Sequence, residues 1–231
     1  MIFRMNTRGK VAWGVLAGLF FVLVIPAIIW LCFWSETFFS LTRRVPADVL
    51  IVKGWIGSDG IRAAAWEFKK GGYRYIVLTG GFTTGANEGD GLTYPEMVRH
   101  ELVGAGIPEN QVIAVTTGEI EHERTFNSAV AAWRALQTRG VHATAINVLT
   151  LGPHARRTGL VYKKVYAPAI AVGIIAFVPS WYHSEPWWLS GQRTKCLLKE
   201  TVGYPFELLL NSGRASNSPV SEASLKGRAI S

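Results

Sequence analysis

The sequence predicts a doubly wound α/β domain, built on a mainly parallel five-stranded sheet and preceded by one transmembrane helix. Three observations carry this. Short apolar runs recur at 48–52, 75–78, 112–115, 145–151 and 169–178. Between them lie stretches whose apolar residues fall at helical spacing. Strands alternating with helices in this way build a parallel sheet covered on both faces. Finally, Val11 to Trp34 contains no charged residue, and a helix crosses a bilayer with about 20 apolar residues.

The membrane segment is bounded by Trp13 near one end and Trp30 and Trp34 near the other, where aromatic belts form. Pro26 predicts a kink, which membrane helices tolerate. A cleaved signal peptide has a shorter apolar core and a small-x-small cleavage site, so the segment reads as an anchor in the lipid bilayer through residues 11–34. Arg4, Arg8 and Lys10 precede it, and the positive-inside rule then places residues 1–10 in the cytoplasm and the large domain outside. Residues 35–46 read as a linker ending at Pro46, residues 47–211 as the α/β domain, and the Ser-rich 212–231 as a disordered tail.

The 231 residues suit one domain plus appendages. The net charge of +8 does not imply nucleic acid, because no Lys/Arg block is interleaved with aromatics. Cys32 and Cys196 offer neither metal-ligand spacing nor a disulfide framework.

Taken in order, Asp48–Val52 is a first strand, apolar on both faces as buried parallel strands are. A loop over 53–60 leads into a helix over 61–70, stopped by Gly71-Gly72. Tyr75–Leu78 is the second strand, with a glycine-rich loop to Gly91 and a helix over 95–104 opened by Pro95. Val112–Val115 is the third strand, followed by a helix over 123–139. Ala145–Leu151 is the fourth, followed by a helix over 155–166. Ala169–Val178 is the fifth, and a last helix runs from about Ser190 to Leu210.

In parallel sheets ligands bind outside the carboxyl ends of the strands. That rule gathers the loops at 53–60, 79–91, 116–123 and 152–154 on one edge, the candidate site. Asn147–Arg157 is its centre: a strand breaks at Gly152-Pro153 and delivers His154, Arg156 and Arg157 into a helix start. A helix N-terminus is already electropositive, so arginines there are unfavourable by about 0.3–1 kcal/mol each. Something negative is expected to offset them, either acidic side chains from elsewhere in the fold or an anionic ligand. Arginine forks onto phosphate and histidine exchanges a proton near neutral pH. Arg62 repeats the basic helix start.

Other candidates are plainer. Thr79-Gly80-Gly81 follows a strand and suits either close backbone approach to a ligand or a turn; it is neither a Walker motif nor G-x-G-x-x-G. Lys53-Gly54-Trp55 is a weaker signal of the same kind. Glu119, Glu121, Glu123 and His122 read as a solvated acidic loop rather than metal ligands, and as a partner for Arg156 and Arg157. Glu96 is either a dipole-compatible carboxylate or a general base. Thr125 and Ser128 cap their helix or face the cleft. Cys196 reads as core rather than nucleophile, and no G-x-S-x-G elbow occurs. The aromatics at 181–188 read chiefly as packing. A non-catalytic scaffold recruiting partners through them is the alternative to an anion-binding domain.

The order Asp48-Val-Leu-Ile-Val, Thr79-Gly80-Gly81, Glu96-Met97, Arg124-Thr125-Phe126, Thr150 and then His154 with Arg157 resembles the YdcF/SanA/ElyC-like family over about residues 47–178. The resemblance implies a Rossmann-like domain behind one transmembrane helix in a bacterial envelope, linked to barrier function and peptidoglycan-precursor metabolism. It implies ligand contacts at Gly80, Gly81 and Thr125, an acid at Glu96, and an H-x-x-R pair at His154 and Arg157. The chain departs from the family pattern at Lys53-Gly54-Trp55, where consecutive glycines are usual, and at Ser128, where asparagine is usual. The expected function is binding, and action upon, an anionic phosphate-bearing envelope precursor, with His154 and Glu96 as acid or base and Gly80, Gly81, Arg62, Thr125, Ser128, Arg156 and Arg157 as its contacts. The sequence does not identify a cofactor.

Overall fold

A computed structural model describes residues 7–82, 93–117, 124–183 and 185–210. Most of the second loop, the acidic loop with Glu119, Glu121, His122 and Glu123, and the tail 212–231 lie outside the described residues. Helix α1 spans Thr7–Phe33 and includes Ala12–Phe33, long and apolar enough to cross a membrane.

The expected linker is not a bare tether. Ser35–Phe39 forms a short helix, α2, and the chain beyond it is bonded to the domain. Arg43 exchanges backbone hydrogen bonds with Ile174 at 2.7 and 2.9 Å. Val45 bonds both ends of the Asn147 amide, its N–H donating to Oδ1 and its carbonyl accepting from Nδ2. Arg44 forks onto Glu67 at 2.9 Å through both carboxylate oxygens. These polar contacts carry no hydrophobic periodicity, which is why the segment looks unstructured in sequence.

The domain alternates β1 (Val49–Lys53), α3 (Gly57–Gly71), β2 (Tyr75–Gly80), α4 (Tyr94–Gly104), β3 (Val112–Thr116), α5 (Arg124–Thr138), β4 (Ala145–Leu151), α6 (His154–Tyr166), β5 (Ala171–Phe177) and α7 (Gly191–Leu209). The five strands are parallel in the order β3-β2-β1-β4-β5, the expected α/β, Rossmann-like architecture.

Alternation along β1 shows why both faces are covered. Val49 and Ile51 pack with α5 and α6 residues such as Ala129, Leu136, Tyr162 and Val165. Leu50 and Val52 pack with Ile61, Ala64, Phe68, Val98 and Leu102 of α3 and α4. Each such fully buried aliphatic side chain contributes about 1.5–3 kcal/mol. Helix α3 ends where Gly72 adopts φ 72°, a left-handed geometry that suits glycine. Thr93 caps α4 by accepting the Glu96 N–H.

The chain winds outward from β1 through β2 to β3, then returns to place β4 on the other side of β1. Between β1 and β4 the order therefore reverses, and the loops after these strands part to opposite faces. Such a reversal point is where open α/β sheets place their ligand crevice, outside the carboxyl ends of the strands.

Candidate functional site

Lys53 ends β1 beside this crevice, in register with Thr79 of β2. It is only 4 % exposed. Among the described residues its ammonium has no carboxylate partner; its recorded neighbours are the Tyr162 ring, 5.8 Å from Nζ, and the cations Arg157 and Arg124. Burial, then repulsion from Arg157 and Arg124, pushes the Lys53 ammonium down to about 7. Thr150, near the end of β4, is fully buried, and its hydroxyl has no hydrogen-bond partner among the described residues. Among the described residues this end of β1 and β4 thus holds a buried cation with no carboxylate partner and a buried hydroxyl with no hydrogen-bond partner, an arrangement that buried polar groups seldom keep without cause.

Across the crevice, Gly152 and Pro153 turn β4 into α6. The Gly152 N–H donates to Phe177 at 2.7 Å, and Gly152 in turn accepts from Ala155 N–H. The first turn of α6 then sets His154 and Arg157 against α7. Arg157 Nε and Nη2 each donate to Glu200 at 2.7 Å, and His154 Nδ1 lies 2.6 Å from Glu200 Oε1. Glu200 is fully buried. Burial opposes its ionisation, but the bonds from Arg157 and then His154 outweigh that and hold the carboxyl down to about 2. An ionised carboxylate only accepts, so His154 Nδ1 carries a proton and donates it to Glu200. Cys196 Sγ lies 3.4 Å from His154 Nε2, with its thiol pushed up to about 12 by burial and then by Glu200. The Trp55 ring meets His154 edge-on, centroids 5.1 Å apart. Gly203 makes room on α7: a Cβ there would sit 3.3 Å from Arg157 Nε.

The acidic offset expected for the arginines therefore comes, for Arg157, from Glu200 on α7. Arg156 is satisfied differently. It donates to the Phe38 carbonyl at 2.6 Å and stacks over the Phe38 ring, which ties α6 to α2. Arg62 pairs with Asp59 on the exposed start of α3 and shares no recorded contact with His154 or Arg157.

Glu96 is exposed and bonds Arg99 at 2.9 Å, while Arg99 also reaches Glu109. These residues line a pocket of about 640 Å³ with Asn110, Val112, Ala114 and Arg139, beside the edge strand β3. None of its recorded partners is shared with His154.

Gly80 and Gly81 close β2, and their visible task is packing. A Cβ on Gly80 would lie 3.3 Å from Pro95 and Tyr94, and Gly81 accepts from Tyr94 N–H at 3.1 Å. Thr125 is half-buried at the start of α5. Ser128 is buried and donates back to the Arg124 carbonyl at 2.8 Å.

Sequence reasoning passed over Glu200 and gave Lys53 and Cys196 little weight. Cys196, Glu200 and Gly203 fall on one side of α7 at helical spacing, a signal present in the sequence. The 181–188 aromatics divide: two are packed inside and Trp188 is exposed. Tyr182 and Trp187 are buried, and Trp187 Nε1 donates to the Cys32 carbonyl at 3.0 Å. Among the described residues no cluster of three or more His, Cys, Asp or Glu could hold a metal.

Comparison with known proteins finds no family model that matches the chain and no significant match among curated proteins.

Proposed function

We propose that this chain is a single-pass protein of the bacterial cytoplasmic membrane whose α/β domain, on the outer side, binds an anionic, phosphate-bearing envelope precursor in the crevice between β1 and β4. One observation carries the reading: Lys53 is a buried ammonium with cations for charged neighbours and no acid among the described residues. An uncompensated buried charge is costly unless a counter-ion joins it, and a phosphate group at the mouth of the crevice would neutralise Lys53 and Arg124 together. Arg157 acts in this reading as a positioning residue, since its fork is already spent on Glu200. His154, with Nδ1 held by Glu200 and Nε2 3.4 Å from Cys196 Sγ, is the group that would exchange a proton beside the bound anion. The apolar α1 supports the membrane placement, and the flanking charges support the outward orientation.

The test is calorimetric titration of the full chain in detergent with pyrophosphate, a nucleotide-linked sugar and a polyprenyl phosphate. Binding of at least one probe, weakened tenfold or more in Lys53→Met, is the expected result. Equal binding by both proteins would remove Lys53 from the site, and no binding of any probe would remove the function. A C-terminal alkaline-phosphatase fusion reads the orientation, and an inactive fusion overturns the outward placement.

A further inference from the structure

The outer face of α7 is built the wrong way round for a helix that meets water. Its inner face carries buried Arg193, Leu197, Glu200 and Glu207. Its outer face presents Leu198, Val202, Phe206 and Leu209, spaced four, four and three residues apart, at 50 %, 73 %, 56 % and 77 % exposure. Surface helices normally show the opposite pattern, and a contiguous exposed apolar stripe marks an interaction surface.

The stripe does not stand alone. Just before α7, Trp188 and Leu189 are exposed, and the Trp188 ring packs on Phe33, the last residue of α1, at 6.1 Å. Trp187 bonds the carbonyl of Cys32. Tyr204, midway along α7, packs on Phe38 and Phe39 of α2. Trp188 and Leu189 thus place exposed apolar surface between the end of α1, which Trp188 touches, and the start of α7. Lys195 and Lys199 are exposed beside the stripe, the arrangement of a helix lying at an anionic lipid surface.

We propose that α7 lies on the bilayer that α1 spans, with Leu198, Val202, Phe206 and Leu209 in the interfacial region and Lys195 and Lys199 toward anionic headgroups. Because the same helix carries Glu200 and Cys196 on its inner side, the crevice then opens close to the membrane plane. This inference rests on α1 being inserted in a bilayer but not on the ligand proposed above.

Photo-crosslinking in the full chain tests it. A diazirine amino acid is placed singly at Leu198, Val202 or Leu209, at Leu23 in the middle of α1, and at Glu101 on α4, and the protein is reconstituted in vesicles of phosphatidylethanolamine and phosphatidylglycerol. Lipid adducts, read by mass, are expected at Leu23 and at the three α7 positions, and at least tenfold fewer at Glu101. Adducts at Leu23 with none on α7 would overturn this inference alone. No adduct at Leu23 would overturn it together with the membrane anchor. Covalent dimers through Val202 in place of lipid adducts would assign the stripe to a second copy and also overturn it.

Discussion

Arg157 meets Glu200 through Nε and Nη2 and both carboxylate oxygens, each bond 2.7 Å, with the carboxylate fully buried. The helix start that looks electrostatically awkward in sequence is thus neutralised by a helix more than forty residues downstream. Breaking a buried pair by removing one partner leaves the other charge stranded, at a cost of about 3–5 kcal/mol. Arg157→Ala should therefore lower stability by that order, as denaturant melts in detergent would show. A change below about 1 kcal/mol would mean that the pair is absent in solution.

The same carboxylate sets an acid limit. Its folded value of about 2 lies below its ordinary 4.5, so the unfolded chain takes up the proton first as pH falls. The stabilisation is complete above about pH 4.5, fades between there and 2, and amounts to about 3 kcal/mol. Glu200→Gln should be less stable than the parent at pH 7, and the two should converge as pH approaches 2.

Lys53 behaves in the opposite sense. Its folded value of about 7 lies below the ordinary 10.5, so the fold disfavours its charged form. The penalty is fully present below pH 7, shrinks between 7 and 10.5, and is gone above. Lys53→Met should stabilise the chain by about 1–4 kcal/mol at pH 6, with the gain vanishing by pH 11. Phosphate-bearing ligands should protect the parent against melting at pH 6 and protect the variant markedly less at the same ligand concentration.

Gly173 gives a packing prediction. A Cβ there would come within 1.9 Å of Asn147 Oδ1 and 2.8 Å of the Val45 nitrogen. Gly173→Ala must displace the amide that holds Val45, at a cost of about 1–3 kcal/mol from overpacking and lost hydrogen bonds. Thermal melts would register it. Glu96→Gln, by contrast, removes only an exposed pair with Arg99. It should shift stability by less than about 0.5 kcal/mol and leave ligand titrations unchanged.

The sheet was legible because each strand is a short apolar run and each helix a separate period. Val49 to Val52 could be little else once covered on both faces. Lys53 was harder to see: a lysine after an apolar run looks like the start of a loop, and its burial depends on Tyr162 from a distant helix. Glu200 shared a helix face with Cys196 and Gly203, but nothing in the sequence said what that face meets. Its helix was predicted, but the rotation that turns Cys196, Glu200 and Gly203 toward α6 comes from packing against α2 and α6. The contacts of the linker 35–46 were not legible because Glu36, Arg44 and Val45 act through paired polar bonds that leave no hydrophobic pattern. His154 and Arg157 stood out because charge at a helix start is a local oddity, legible without knowing what answers it.

That root of the anchor bears on how the domain can be handled. A chain cut back to Pro46 to obtain a soluble fragment loses more than its tether. It frees the outer edge of β5 where Arg43 now pairs with Ile174, and open strand edges invite pairing between molecules. It strips Val45 from Asn147 and Arg44 from Glu67, and it leaves Arg193, 4 % exposed, without the Glu36 carboxylate. Such a fragment would be prone to self-association, whereas one begun at Trp34 keeps α2 and its contacts.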